Sequence, residues 1–163
     1  ALSPVILALA REAIDDFTAT RGREGEKLAA MIVDRVNAMR DIVRRVAPRM
    51  PEAQAMYTDK LRQRLTEALG GASDDRVLQE VAVFATRIDV AEELARLSTH
   101  LDEVERVLKH GGACGKRLDF LMQELNREAN TLGSKSAITE VSQASMELKL
   151  LIEQMREQIQ NLE

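Results

Sequence analysis

Asp89, Glu92, Glu93, Arg96, His100 and Glu103 recur at short intervals through an otherwise apolar stretch of the chain. Intervals of three and four residues place side chains on one face of a helix. Glu92 and Arg96 stand four apart, the spacing of a helical ion pair, and His100 and Glu103 stand three apart, a spacing that lets two donors share one metal ion. Two readings stay open: a structural ladder of salt bridges, or a site for a divalent cation or acid–base chemistry. The carboxylate excess suits a hard cation, magnesium or manganese, whereas one cysteine and two histidines suit zinc poorly. Val77, Val81, Phe84, Ile88 and Ala91 form an apolar row beside the stripe, and Val90, Leu94, Leu97, Leu101, Val104 and Leu108 form another on nearly the opposite side. Packing on both flanks would recess the charges into a seam, where they interact more strongly than on an open surface. The helix is expected to exchange packing partners around residues 88–97.

A second set of polar residues lies further along. Leu118, Leu121, Met122, Leu125, Ala129 and Leu132 make a core face, with Asp119, Gln123, Asn126 and Asn130 on one flank and Arg117, Glu124 and Glu128 on the other. Asparagine is a mediocre helix former. The pair either bonds across helices, or holds phosphate and sugar groups with neighbouring cations while Glu124 and Glu128, one turn apart, add metal ligands. Gly112-Ala113-Cys114-Gly115 followed by Lys116-Arg117 matches a GxxG loop only in letters. The RNA-clamping version needs a β-sheet, and the nucleotide loop has other glycine spacing and a hydroxyl residue after its lysine. A helix break before a basic helix start is the simpler reading, and that start could hold an anion.

The elements that must position these residues are helices. Aliphatic side chains and Met supply nearly all of the 45 % apolar content, Trp is absent, and three Pro and eight Gly leave few interruptions. An all-β fold is excluded. Ser3-Pro4 starts a first helix expected to reach about Thr20, before Gly22 and Gly25. Leu28, Met31, Ile32, Val36, Met39, Val43 and Val46 mark a long second helix, and Pro48 and Pro51 a bend before a stretch ending near Leu69. Gly70, Gly71 and Ser73 break the chain, and Asp74 and Asp75 favour the start of a third helix over about 75–109. Gly111 and Gly112 end it. A fourth helix spans about 116–132, and from Ile138 through Val141, Ser145, Leu148, Ile152, Met155 and Ile159 to Leu162 the spacing is that of a heptad seam. The expected architecture is all-α: long antiparallel helices in an extended bundle or coiled-coil-like arrangement, with residues 1–72 a long-helix hairpin or connecting region and 73–163 a C-terminal helical domain. Helices so long should leave seams covered by other copies of the chain, so a homo-oligomer is expected.

The net charge of −4 argues against a generally basic nucleic-acid binder, but the charge is segregated. Residues 35–64 carry eight Lys or Arg against three acids, and residues 138–163 carry two against five. This is either a solvated helical face or a surface for phosphate. The longest apolar run, Val5 to Ala10, is six residues, far below the roughly 20 that span a bilayer. No membrane association is expected. One cysteine suits a reducing compartment, and a cytoplasmic location follows as the expectation.

The segment Arg87-Ile-Asp-Val-Ala-Glu-Glu-Leu-Ala-Arg96-Leu, then His100, then Lys116-Arg117-Leu-Asp-Phe-Leu-Met-Gln-Glu-Leu-Asn-Arg-Glu-Ala-Asn130-Thr-Leu-Gly-Ser-Lys135-Ser, and the ending from Arg156, closely resemble the C-terminal portion of the YicC/YloC family of bacterial endoribonucleases. Arg23-Glu24-Gly25 is a shorter match. Ala113-Cys114 stands where the family usually has Pro-Val, and Lys116-Arg117 reverses its Arg-Lys order. The resemblance implies metal-dependent endonucleolytic cleavage of RNA, a ring-like homo-oligomer, with a hexamer favoured, and an N-terminal domain upstream that nothing in this chain matches.

Chemistry narrows the roles within that expectation. A metal-free mechanism with two histidines needs both at one phosphate, yet His100 and His110 are ten residues apart, about 15 Å on one helix. Metal-assisted hydrolysis is favoured. Glu92, His100, Glu124 and Glu128 are the expected catalytic and metal or water-positioning groups, with Arg96, Lys116, Arg117, Arg127 and Lys135 contacting RNA. With few aromatics for stacking, recognition should rest on backbone and shape and be salt-sensitive. The competing expectation is a noncatalytic helical oligomerisation or adaptor module.

Overall fold

The computed structural model describes residues 3–70, 75–136 and 138–160. The all-α expectation holds: these residues form α1 (Ser3–Val46), a 3₁₀ turn (Ala47–Arg49), α2 (Met50–Ala68), α3 (Asp75–Ile88), α4 (Ala91–His110), α5 (Gly115–Ser134) and α6 (Thr139–Gln160). No strand occurs among them, and no helix is long and apolar enough to cross a membrane. The second half of α1 packs on α4 and α6, α4 packs on α5, and α5 packs on α6, which closes a ring of four antiparallel helices. Their facing stripes meet in one core: Ile32, Val36 and Met39 of α1, Leu97, Leu101 and Val104 of α4, Leu118, Leu125 and Leu132 of α5, and Leu148, Ile152 and Met155 of α6. Fully burying each such side chain contributes roughly 1.5–3 kcal/mol.

Two helix boundaries differ from the sequence expectation. Gly22 and Gly25 do not end a helix near Thr20, because α1 runs through both for 44 residues. A mid-helix glycine costs about 1 kcal/mol relative to alanine, which weakens a helix without breaking it. The single third helix expected over 75–109 is two, since the chain leaves helical geometry at Asp89 and Val90. That break explains the two opposed apolar rows: Val77 and Ile88 face α2, whereas Val90, Leu94, Leu97, Leu101 and Val104 face the bundle. Asp89, one residue before the N-cap Val90, satisfies the first free donor of the new helix, its Oδ1 accepting from the Ala91 N–H at 3.0 Å.

The remaining boundaries fall where the punctuation puts them. Pro48 and Pro51 lie in the first turns of the 3₁₀ segment and of α2, where a missing N–H costs little. Gly111 and Gly112 take φ of 67° and 78°, a left-handed region that other residues avoid. Of the break expected at Gly70, Gly71 and Ser73, only Gly70 falls among the described residues; Asp74 and Leu162 also lie outside them. The heptad seam of α6 is buried at Val141, Ser145, Leu148, Ile152, Met155 and Ile159. At Gly133 the α5 backbone comes so close to α6 that an added Cβ would lie 2.6 Å from Ser145 Oγ.

Part of the segregated charge is matched across helices. Arg40 of α1 pairs with Asp102 at 2.6 Å and Glu105 at 2.8 Å on α4, and Arg45 pairs with Glu147 of α6 at 2.8 Å. Two arginines of the basic stretch of α1, Arg40 and Arg45, therefore lie against acids of the helices it packs on.

Candidate functional site

The polar stripe on α4 faces a matching stripe on α5, and the two form a charged seam beside the core. Because α4 and α5 run antiparallel, Arg96 meets Glu128 near one end and Glu103 meets Arg117 near the other. His100 and Glu124 stand between these rungs on their respective helices. Leu97, Leu101 and Val104 from α4 and Leu121 and Leu125 from α5 are buried; they fix the helix faces, and the adjacent positions must project along the seam.

Arg96 is the hub. Its Nε donates to Glu128 Oε2 at 2.9 Å, its Nη2 to Glu93 Oε1 at 3.2 Å, and its Nη1 pairs with Glu92. Glu93 and Glu128 are 2 % and 1 % exposed, so both carboxylates have left water. Buried carboxylates persist when they are paired and hydrogen-bonded. Lys135, just past the end of α5, supplies the second cation: its Nζ reaches Glu93 Oε1 at 2.9 Å and the Asp89 carbonyl at 3.0 Å. Arg127 closes the other side, contacting Glu128 Oε1 at 3.3 Å and Glu124 Oε2 at 2.8 Å. The hydrogen bond to Glu128, with the surrounding carboxylates, raises the Arg96 guanidinium above its ordinary value.

Two turns along, a separate cluster forms. Glu103 accepts from Arg106 Nε and Nη2, both at 2.8 Å, and from Arg117 Nη2 at 3.0 Å. These bonds, that to Arg106 foremost, pull the Glu103 carboxyl from 4.5 down to about 2. Both Glu103 oxygens are thus engaged by arginines, so the carboxylate that the spacing pairs with His100 is held by Arg106 and Arg117. His100 itself is half-buried, and its Nε2 is buried without a hydrogen-bond partner, as is Glu93 Oε2.

The structure brings Glu92, Arg96, Glu124, Arg127, Glu128 and Lys135 into one connected network and sets His100 beside it in the seam. Arg117 belongs to the Glu103 cluster. Lys116 is elsewhere, at the rim of a cavity of about 680 Å³ between α1 and the α4–α5 turn. Asn126 and Asn130 are exposed on α5. Among the described residues, no three His, Cys, Asp or Glu side chains are placed to hold a metal ion. Sequence reasoning left Glu93 out of the site set. Its register with Leu97 and Val104 marks it as core-facing, and a charge at such a position must recruit partners.

Comparison with known proteins adds the family. Residues 46–163 match the model described as Endoribonuclease YicC-like, C-terminal. The chain belongs to this family. It is 48 % identical over all of its 163 residues to a Haemophilus influenzae protein named Probable endoribonuclease YicC, of which it covers 57 %. It is 34 % identical over 146 residues, 88 % of the chain, to a Clostridioides difficile protein of the same name, covering 50 % of it. The chain therefore spans about half the length of the curated relatives it matches. The family match includes all of α4, α5 and α6, and hence the whole charged seam.

Proposed function

We propose that the chain is part of an endoribonuclease and that the α4–α5 seam takes part in cleaving RNA phosphodiester bonds by metal-assisted hydrolysis. The observation that carries this reading is the network in which Arg96, Arg127 and Lys135 are held on two buried carboxylates, Glu93 and Glu128. The buried acids hold the charged heads of these cations, and of the outer partners Glu92 is 79 % exposed and Glu124 is 20 % exposed, so Glu92 exchanges the more readily. An RNA phosphate arriving at Arg96 and Arg127 competes with Glu92 and Glu124 and leaves Glu93 and Glu128 in place. Capture of the phosphate thereby frees two carboxylates beside it. The unpartnered Nε2 of His100 is the group available to take or hold a proton in the same seam.

The donors fit a cation shared with RNA and do not fit an all-protein cage. Magnesium commonly binds through one or two carboxylates plus substrate phosphates and retained waters; Glu92 and Glu124, the carboxylates released by the phosphate, offer that kind of ligand, while Glu128 keeps its oxygens on Arg96 and Arg127. Such a cation would neutralise phosphate charge and lower the pKa of a bound water. Lys116 and Arg117, at the start of α5, extend the proposed phosphate contacts away from the network.

Single-turnover RNA cleavage by the full-length protein, purified free of other nucleases, tests the proposal. Cleavage should stop in chelator and return with magnesium or manganese, and His100→Ala and Glu124→Ala should each slow it about 100-fold. Binding should weaken steeply with salt, and Arg127→Ala should lower the slope of log K on log salt by about one. Equal cleavage in chelator and by both variants would remove the metal-assisted mechanism. A protein that neither binds nor cuts RNA but captures one specific protein partner would instead be the helical adaptor.

A further inference from the structure

The cavity between α1 and the α4–α5 turn plays no part in the charged network around Arg96. It measures about 680 Å³, a size typical of small-molecule sites. Ile32 and Leu118, both fully buried, form part of its wall, with Leu28, Ala29 and Leu108 half-buried beside them. Glycines keep it open. Gly25 of α1 and Gly111 and Gly112 of the turn line it, and a Cβ built on any of the three meets nothing within 4 Å. The chain's own packing leaves this space unfilled.

What lines the cavity limits what it can take. Its lining includes no hydroxyl, amide or carboxylate side chain and no aromatic ring. A nucleobase or sugar would bury polar edges there without side-chain partners, which is unfavourable. A saturated hydrocarbon chain has no such edges. The charged residues of the lining are Arg21 and Lys116, both exposed, and no acid stands with them. Neither forms an ion pair among the described residues; the Arg21 guanidinium instead lies 5.8 Å from the centroid of the Phe17 ring. At the same mouth α5 begins with no acid in its first turn and no side-chain cap, which adds positive potential. An apolar interior with a cationic mouth complements a hydrocarbon chain that ends in an anion.

We propose that this cavity binds a single-chain aliphatic carboxylate, with its hydrocarbon against Leu28, Ile32, Leu108 and Leu118 and its carboxylate between Arg21 and Lys116. Burial of the chain supplies affinity in proportion to its length. The two cations fix which end faces water. A phospholipid presents the same chemistry, an acyl chain under an anionic head, but its second chain would find no such walls; the free acid is the occupant, and a vesicle is the contrast in the test.

This site does not depend on the RNA reading, and its test reads occupancy alone. Cys114, half-buried in the cavity wall, reports it. Alkylation of Cys114 in the full-length protein, followed by mass spectrometry of the peptide that carries it, should slow saturably as decanoate is added. From octanoate through decanoate to dodecanoate, all below micelle-forming concentrations, half-protection should need about fourfold less ligand per added methylene, the factor for ~0.8 kcal/mol per buried CH2. Decanol should bind at least ~tenfold more weakly than decanoate, and Arg21→Gln combined with Lys116→Gln should remove that difference. Gly25→Leu, which adds a side chain to the lining, should abolish protection, with helical content unchanged or raised because leucine is the better helix former. Alkylation unchanged at every decanoate concentration, equal affinity for octanoate and dodecanoate, or decanol binding as tightly as decanoate would each overturn the proposal. So would a Cys114 already inert in the full-length protein without ligand, which would mean that protein fills the cavity. Protection by phosphatidylglycerol vesicles but not by the free acids would overturn it too, in favour of a membrane surface.

Discussion

Residues 28–46 and residues 3–24 of α1 are one helix with one apolar stripe, yet the first stretch contributes Ile32, Val36 and Met39 to the core and the second leaves Leu7, Ile14 and Phe17 more than half exposed. The stripe records which face will be covered and does not say by what. In the bundle, α4 and α6 supply the cover, and their acids supply partners for Arg40 and Arg45. Beyond it, a helix of the same pattern stands alone.

Stability measurements on dilute, monomeric protein would sharpen that contrast. Leu125→Ala, at a fully buried position of α5, should cost about 3–5 kcal/mol through lost burial and a residual cavity, read as a lower denaturant midpoint at unchanged slope. Glu128→Ala should cost about 2 kcal/mol, because a buried side chain and its hydrogen bonds are lost while Arg96 keeps Glu92 and Glu93 and Arg127 keeps Glu124. A smaller loss, about 1–2 kcal/mol, is expected for Gly133→Ala, whose new methyl displaces the Ser145 hydroxyl from the Ala129 carbonyl it now meets at 2.7 Å. Phe17→Ala, in the bare half, should change the monomer by less than about 0.5 kcal/mol. If Phe17→Ala proved as costly as Leu125→Ala in the monomer, the two halves of α1 would not differ as described.

Acid provides a separate check on the charged seam. The Glu103 carboxyl is lowered from 4.5 to about 2 by Arg106 and Arg117. A depressed carboxyl contributes stability that is present above its unfolded value and lost as pH falls through the folded one. Unfolding free energy should therefore decline between pH 4.5 and about 2, and Glu103→Gln should flatten that part of the profile.

How much of this was legible beforehand depended on the kind of signal. The α5 and α6 boundaries and the core positions of the bundle followed from apolar spacing and from Gly111 and Gly112, because a left-handed turn is a strong local constraint. Gly22 and Gly25 misled because propensity is local and weak, and 44 residues of consistent stripe outweigh two glycines. The break at Asp89 and Val90 was visible as two opposed apolar rows before it was recognisable as a break. In the seam, the Glu92–Arg96 pair was readable from its spacing and is present. Arg96 to Glu128 and Lys135 to Glu93 join residues 32 and 42 positions apart, and no local pattern specifies such partners. His100 and Glu103 had the right spacing and different neighbours, since Arg117 from α5 captures the carboxylate.

Lys135 ties two architectures together. The ammonium that neutralises Glu93 also donates to the carbonyl of Asp89, in the break between α3 and α4. The hinge between two helices and the charge balance of a buried acid therefore share one atom, so Lys135→Met would loosen both at once.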